Sequence, residues 1–212
     1  MRGDFCGMLS PGWFFLFLAG WCANTGLPQD PLVEVTPRHV PGVVLEIRYA
    51  TTNNITGKVL YPEAKAYLRG ETLRKLRRAA RQLQEDGYRL VIWDAWRPSF
   101  AQKALWKAKP DGKYLTPPSK ISRHRRGTSV DVSLADQDGK ILEMPSDFDE
   151  FSAKADEDFS DVPPEVAKRA RTLRKAMFAA GFSGVPDEWW HYDLRDWGDY
   201  DPIESGRLGD GK

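Results

Sequence analysis

His124 and Asp131 stand seven residues apart in the run Ser122-Arg123-His124-Arg125-Arg126-Gly127-Thr128-Ser129-Val130-Asp131, and a second imidazole, His191, follows far downstream in Asp187-Glu188-Trp189-Trp190-His191-Tyr192-Asp193. The chain has three histidines, so two of them beside carboxylates in strand-like surroundings are informative. Two neutral imidazoles and one carboxylate make a three-ligand zinc site whose fourth position stays open to water, the catalytic rather than the structural pattern. An ion held in that way lowers the pKa of water to about 7, supplying a nucleophile for a carbonyl. Glu188 is left over as a base that takes the proton and passes it to a leaving amine, a role worth roughly 10²–10⁴-fold. Arg97 would complete the site by holding the oxyanion of the tetrahedral intermediate, and one such donor contributes about 2.7–4 kcal/mol. Each half also has a plainer explanation: a core histidine satisfied by an aspartate, and an arginine paired with a neighbouring carboxylate. The third histidine, His39, lies between Arg38 and Val40-Pro41 and reads as a solvated or edge residue.

These residues need elements to carry them. Ser129 to Leu134 alternates, with Val130, Val132 and Leu134 on one face and Ser129, Asp131 and Ser133 on the other, which predicts a half-buried strand with Asp131 on its polar side. Tyr88 to Trp96 reads as a buried strand ending at Arg97-Pro98, and Ser99 with Gln102 resembles a capping box for a helix over about 100 to 108. Val43 to Tyr49 reads as another strand, after a proline-rich, extended lead-in over 27 to 42. From Glu63 to Asp86 the spacing of Leu73, Leu76, Ala80 and Leu83 is helical, with Gly87 as a stop and Arg69, Arg74, Lys75, Arg77, Arg78 and Arg81 on a solvated outer side. Pro163-Pro164-Glu165 opens a further helix with Val166, Ala170, Leu173 and Met177 on one stripe and Gly181 as its stop. The acidic stretch between them, 142 to 161, reads first as a solvated loop, though its length is also that of a lid or binding loop. Residues three apart on a regular strand face opposite sides, so Glu188 shares the side of His191 only if it sits in a turn that Pro186-Asp187 would make. Trp189 and Trp190 read as wall and core.

The 212 residues predict a single domain over 27–212, preceded by an export segment over 1–26. Arg2 followed by the apolar run Trp13 to Trp21 is a secretory signal pattern, too short to span a bilayer, so no transmembrane span is expected in the mature chain, and a periplasmic location is. Both cysteines, Cys6 and Cys22, fall in that segment, which leaves the domain without a disulfide. Leu18-Ala19-Gly20 precedes Cys22 as in a lipid-anchor signal, but Trp21 puts the cysteine one residue out of register. A formal net charge of +1 gives no electrostatic argument for nucleic acid and none about self-association; a small neutral or zwitterionic partner suits it.

W-D-A-W-R-P, S-R-H-R-R-G-T-S-V-D and E-W-W-H-Y, in this order, resemble the signature of the D-alanyl-D-alanine dipeptidases, the VanX-type zinc peptidases. The resemblance runs from about Leu45 to Leu194 and takes in Y-A-T-T-N-N-I-T-G at Tyr49 to Gly57 and the Phe148-Asp149 pair. It implies an α+β fold, a small and largely antiparallel sheet flanked by helices with zinc at its face. It implies one Zn2+ per chain on His124, Asp131 and His191, with Glu188 as catalytic base and Arg97 stabilising the transition state. It further implies that Asp149 and Tyr49 hold the free amino end of a D,D-dipeptide and that Ser122 lines the pocket; Arg123, Arg125 and Arg126 are unranked for the terminal carboxylate. Ile55 stands where the family usually has an aromatic residue and Trp96 where tyrosine is more common, changes of pocket shape rather than of reaction. The reaction expected is hydrolysis of D-alanyl-D-alanine or a close relative in cell-wall peptide turnover. Two other readings are a D,D- or L,D-carboxypeptidase on wall peptides, which needs an open cleft instead of an ammonium anchor, and a non-catalytic zinc-containing wall-binding module, which has no use for a free Glu188.

Overall fold

Strand β5 (Ser129–Ala135) is the middle of the sheet, with Val130, Val132 and Leu134 on one face and Ser129, Asp131 and Ser133 on the other. The computed structural model describes residues 30–204, and the expected export segment with Cys6 and Cys22 lies outside them. In chain order the elements are β1 (Leu32–Glu34), β2 (Val44–Leu45), β3 (Tyr67–Arg69), α1 (Gly70–Glu85), β4 (Arg89–Asp94), α2 (Ser99–Ala108), β5, α3 (Pro164–Ala179), β6 (Phe182–Val185) and β7 (Glu188–Leu194). Five strands form a sheet in the order β2-β4-β5-β7-β6, antiparallel except for the β2–β4 pair. β1 and β3 make a separate antiparallel ribbon. The fold is mixed α and β, with α1 and α3 packed on each other and against the sheet. Leu76 and Leu83 of α1 and Leu173 of α3 are fully buried there, and each such side chain contributes roughly 1.5–3 kcal/mol. Among the described residues no helix is long and apolar enough to cross a membrane.

Four expectations are corrected. All seven residues of β5 are buried, so it is not half-solvated; the segments around 112–123 and Asp149 wall in the side that carries Asp131. The strand expected over 43–49 stops at Leu45, because Arg48–Ala50 winds into a 3₁₀ turn whose Arg48 carbonyl accepts from Thr51 Oγ1 at 2.9 Å, and this turn buries Tyr49. The helix expected from Glu63 begins at Gly70, since Tyr67–Arg69 pairs with β1 instead. Arg69 is therefore not on the solvated side: it is buried, with Nε donating to the Arg126 carbonyl at 2.9 Å and the two terminal nitrogens donating to the carbonyls of Asp30 and Asp201. Nor is there a capping box at α2, whose preceding residue is Pro98; Gln102 is buried and serves Arg97. α3 ends as expected, with Gly181 at a φ of 100°. His39 is half-buried, its Nδ1 against the Glu34 carbonyl at 2.8 Å.

Candidate active site

Register brings the site together. β5 and β7 pair so that Asp131 faces His191 and Ser129 faces Asp193. The β4–β5 ladder slips at Trp93, which sets Asp94 opposite Asp131. In the β6–β7 ladder Gly184 faces Tyr192 but Val185 faces Glu188, so residues 189–191 are extra on β7. Such irregularities re-aim side chains and bend a strand. Glu188 is thus the first residue of β7, not part of the preceding turn as expected, and the irregularity restores the shared side: Glu188 Oε2 lies 3.8 Å from His191 Nδ1. His124 comes from a 3₁₀ turn, His124–Arg126, closed by Gly127 at φ 72°, where an added Cβ would stand 2.7 Å from Leu32 Cδ2.

Three atoms converge. His124 Nε2 and His191 Nδ1 are 3.1 Å apart, His191 Nδ1 and Asp131 Oδ1 3.0 Å, and His124 Nε2 and Asp131 Oδ1 3.3 Å. With zinc–ligand distances near 2.0–2.1 Å, the edge of a coordination tetrahedron is roughly 3.3 Å, so this triangle matches one face of it. The remaining ring nitrogens fix the tautomers: His124 Nδ1 donates to the Ala95 carbonyl at 2.7 Å and His191 Nε2 to Asp193 Oδ1 at 3.0 Å. With both imidazoles neutral, each then aims a lone pair at the other and at a carboxylate oxygen, an arrangement that a cation satisfies. The residues present fit a zinc ion. Burial opposes the charge of Asp131, but His124 and His191 hold its carboxyl well below the usual range.

Around the triangle the polar groups are paired. Arg97 donates from Nε to Asp94 Oδ2 at 2.8 Å, from one terminal nitrogen to Gln102 Oε1 and from the other to Asp131 Oδ2, both at 3.1 Å. Its ion-pair role and its place beside the triangle are one arrangement. Glu188 is mostly buried, and burial, helped by Asp131 and Asp149 and opposed by His191 and Arg97, raises its carboxyl to about 8. Asp149, in the acidic stretch, has a φ of 60° and accepts from the Tyr49 hydroxyl at 3.2 Å and the Ile55 amide at 3.3 Å. Burial, opposed by Arg97, lifts it to about 7. Arg97, Glu188 and Asp149 line a cavity of about 300 Å³ together with the buried Ser122 and Trp190 and the partly exposed Arg123. Its rim is tied by Tyr114 stacked on Phe151 at 4.4 Å and by Lys113 Nζ 2.9 Å from Asp187.

Arg125 and Arg126 are turned elsewhere, to Glu204 and to the Tyr200 carbonyl, so of the three unranked arginines Arg123 alone lines the cavity. Sequence reading missed Asp193, Asp94 and Ser129. Asp193 Oδ1 accepts from Ser129 Oγ at 2.6 Å as well as from His191, and Asp94 Oδ1 accepts from Tyr61 at 2.8 Å while Oδ2 holds Arg97. Asp193 could have been found, because two residues past a ligand on a strand is the same face. Asp94 was hidden by the slip in β4.

A His-Asp-His face beside a buried glutamate and a fixed guanidinium is the site of a zinc metallopeptidase. The chain belongs to the M15 peptidases, D-Ala-D-Ala dipeptidases, whose family profile matches residues 32–205. It is 38% identical over 154 residues to the D-alanyl-D-alanine dipeptidase of Escherichia coli, covering 73% of this chain and 80% of that one. To the D-alanyl-D-alanine dipeptidase of Enterococcus faecium it is 31% identical over 179 residues, 74% and 88% of the two chains. A crystal structure of a vancomycin-resistance D,D-pentapeptidase, VanY, in complex with Zn(II) aligns with a TM-score of 0.38 and 17% identity over 61% of this chain and 73% of that one.

Proposed function

We propose that the protein hydrolyses D-alanyl-D-alanine, or a close D,D-dipeptide, to free amino acids. The observation that carries this is Asp149: a shielded carboxylate in the same cavity as the His124, Asp131 and His191 triangle, matched to an ammonium group. A dipeptide must lose the hydration of that ammonium on entry, and a carboxylate compensates it. Tyr49 and the Ile55 amide orient Asp149, while Ser122 and Trp190 form wall. His124, Asp131 and His191 hold one zinc ion per chain on the sheet face; bound there it supplies Lewis acidity toward the scissile carbonyl and acidifies water. Glu188, in the same cavity and 3.8 Å from His191, is the base that would take a proton from the attacking water and return it to the leaving amine. Arg97, its charge fixed by Asp94 and Asp131, is the donor to the developing oxyanion. The tied rim suits a small substrate. Residues 1–26 direct export to the periplasm, where the dipeptide would come from wall turnover.

The test measures amino-acid release by the zinc-loaded protein from D-Ala-D-Ala and from its N-acetyl derivative. Release from the free dipeptide alone is expected, with Glu188→Ala retaining zinc and losing roughly 10²–10⁴-fold in kcat. Equal cleavage of the blocked substrate would replace this reading with a carboxypeptidase; no release from either, zinc being bound, would point to the binding module.

A further inference from the structure

A free dipeptide also carries a carboxylate. Four cations line the cavity, Arg97, Lys113, Lys120 and Arg123, and they are not equivalent. Arg97 gives three of its five donor hydrogens to Asp94, Gln102 and Asp131, and the rest are taken up by its proposed role at the oxyanion. Lys113 is engaged by Asp187 at the rim. Lys120 is solvent-exposed, and an exposed, hydrated ammonium on a flexible stem gains little from one more ion pair. Arg123 differs: one terminal nitrogen is bonded to the fully buried Asp193, and the guanidinium carbon lies 4.7 Å from the Trp197 ring. Those two contacts immobilise it, yet its side chain keeps 42% of its exposure. A guanidinium has five donor hydrogens, so one carboxylate leaves several for another.

Position agrees with chemistry. Tyr49, which holds Asp149, follows β2 at one edge of the sheet, whereas Asp193, which holds Arg123, is on β7, and Asp131 of β5 lies between them in the strand order. A cation on the β7 side and an anion on the β2 side bracket the triangle as the two ends of a zwitterion would. We propose that Arg123 is the carboxylate anchor of the site, binding the terminal carboxylate of the dipeptide while Asp149 takes the ammonium. This rests on the dipeptidase reading above. Because Arg123 adjoins His124 in the chain and touches the partner of His191, the anchor is held in register with the metal ligands.

The test compares two substrates in one protein preparation, D-Ala-D-Ala and D-alanyl-D-alaninamide, whose terminal carboxylate is neutralised. Any change in zinc content or folding affects both equally, so the ratio of their kcat/KM values reports the carboxylate contact alone. The wild type should prefer the free acid, and Arg123→Gln should lower that ratio roughly 10–100-fold, with Arg123→Lys between them. Titration of both ligands into the Glu188→Gln protein should give the same ordering of Kd. A ratio unchanged in Arg123→Gln, or collapsing in Lys120→Ala instead, overturns the assignment. Equal cleavage of acid and amide by the wild type rejects the anchor but leaves the dipeptidase reading standing. Cleavage of neither rejects that reading, and the anchor falls with it.

Discussion

At the scale of single residues, the site separates two pairs of carboxyls by environment. Glu188 and Asp149 are both raised by burial, to about 8 and about 7, whereas Asp131 and Asp193 are held low by the groups they bond. Asp149, away from the triangle, is the one whose protonation can change near neutral pH, as the proposed ammonium anchor would. Asp149 yields a pH prediction with a definite sign. Its carboxyl is neutral below about 7 and ionised above, so KM for a free dipeptide should fall as pH rises from 6 to 8. Asp149→Asn should flatten that dependence and raise KM roughly 10–100-fold. A pH-dependent KM surviving in the variant would show that another group binds the ammonium.

At the scale of elements, function depends on irregularity rather than on ideal strands. The extra residues 189–191 on β7 and the slip at Trp93 on β4 are what place Glu188 and Asp94 beside the triangle. The turn that brings His124 in is equally exacting, because Gly127 combines a positive φ with close approach to Leu32 and to Arg69 of β3. Gly127→Ala should destabilise the protein by about 1–2 kcal/mol from the left-handed backbone alone, and further from the contact with Leu32. A lower urea midpoint with unchanged m-value is the expected reading, and no shift would mean the turn can rotate to a normal φ.

At the scale of the whole molecule, the triangle joins a turn before β5, β5 itself and β7, so a bound ion ties together segments far apart in sequence. An ion that binds only the folded state stabilises by about 2.7 kcal/mol at a free concentration of 100 Kd. Zinc should therefore raise Tm over the chelated protein and saturate at one equivalent; an unchanged Tm would sink the proposed ligand set. Asp193→Asn, which weakens the partner of His191, should increase the zinc concentration needed for the same Tm by roughly 10–100-fold.

Much of this was legible in the chain. The period-2 alternation of Ser129 to Leu134, the helical spacing of Leu73, Leu76 and Leu83, and proline and glycine at the ends of α3 are local signals, and β5, the body of α1, and α3 follow them. The residues at the site stood out by type, since few imidazoles and buried-strand carboxylates occur without reason. Their mutual geometry is another matter. Whether Glu188 shares a side with His191 turns on the pairing of β7 with β6, and Gln102 reads as a cap from its neighbours but is drawn by Arg97. Arg69 looks like a surface arginine in its helix-like spacing and is buried by carbonyls from three distant segments. The sequence by itself determined which residues could do the chemistry and the elements carrying most of them; register, burial and the partner of each polar group belong to the tertiary structure, because strand pairing and desolvation are set by residues far away along the chain.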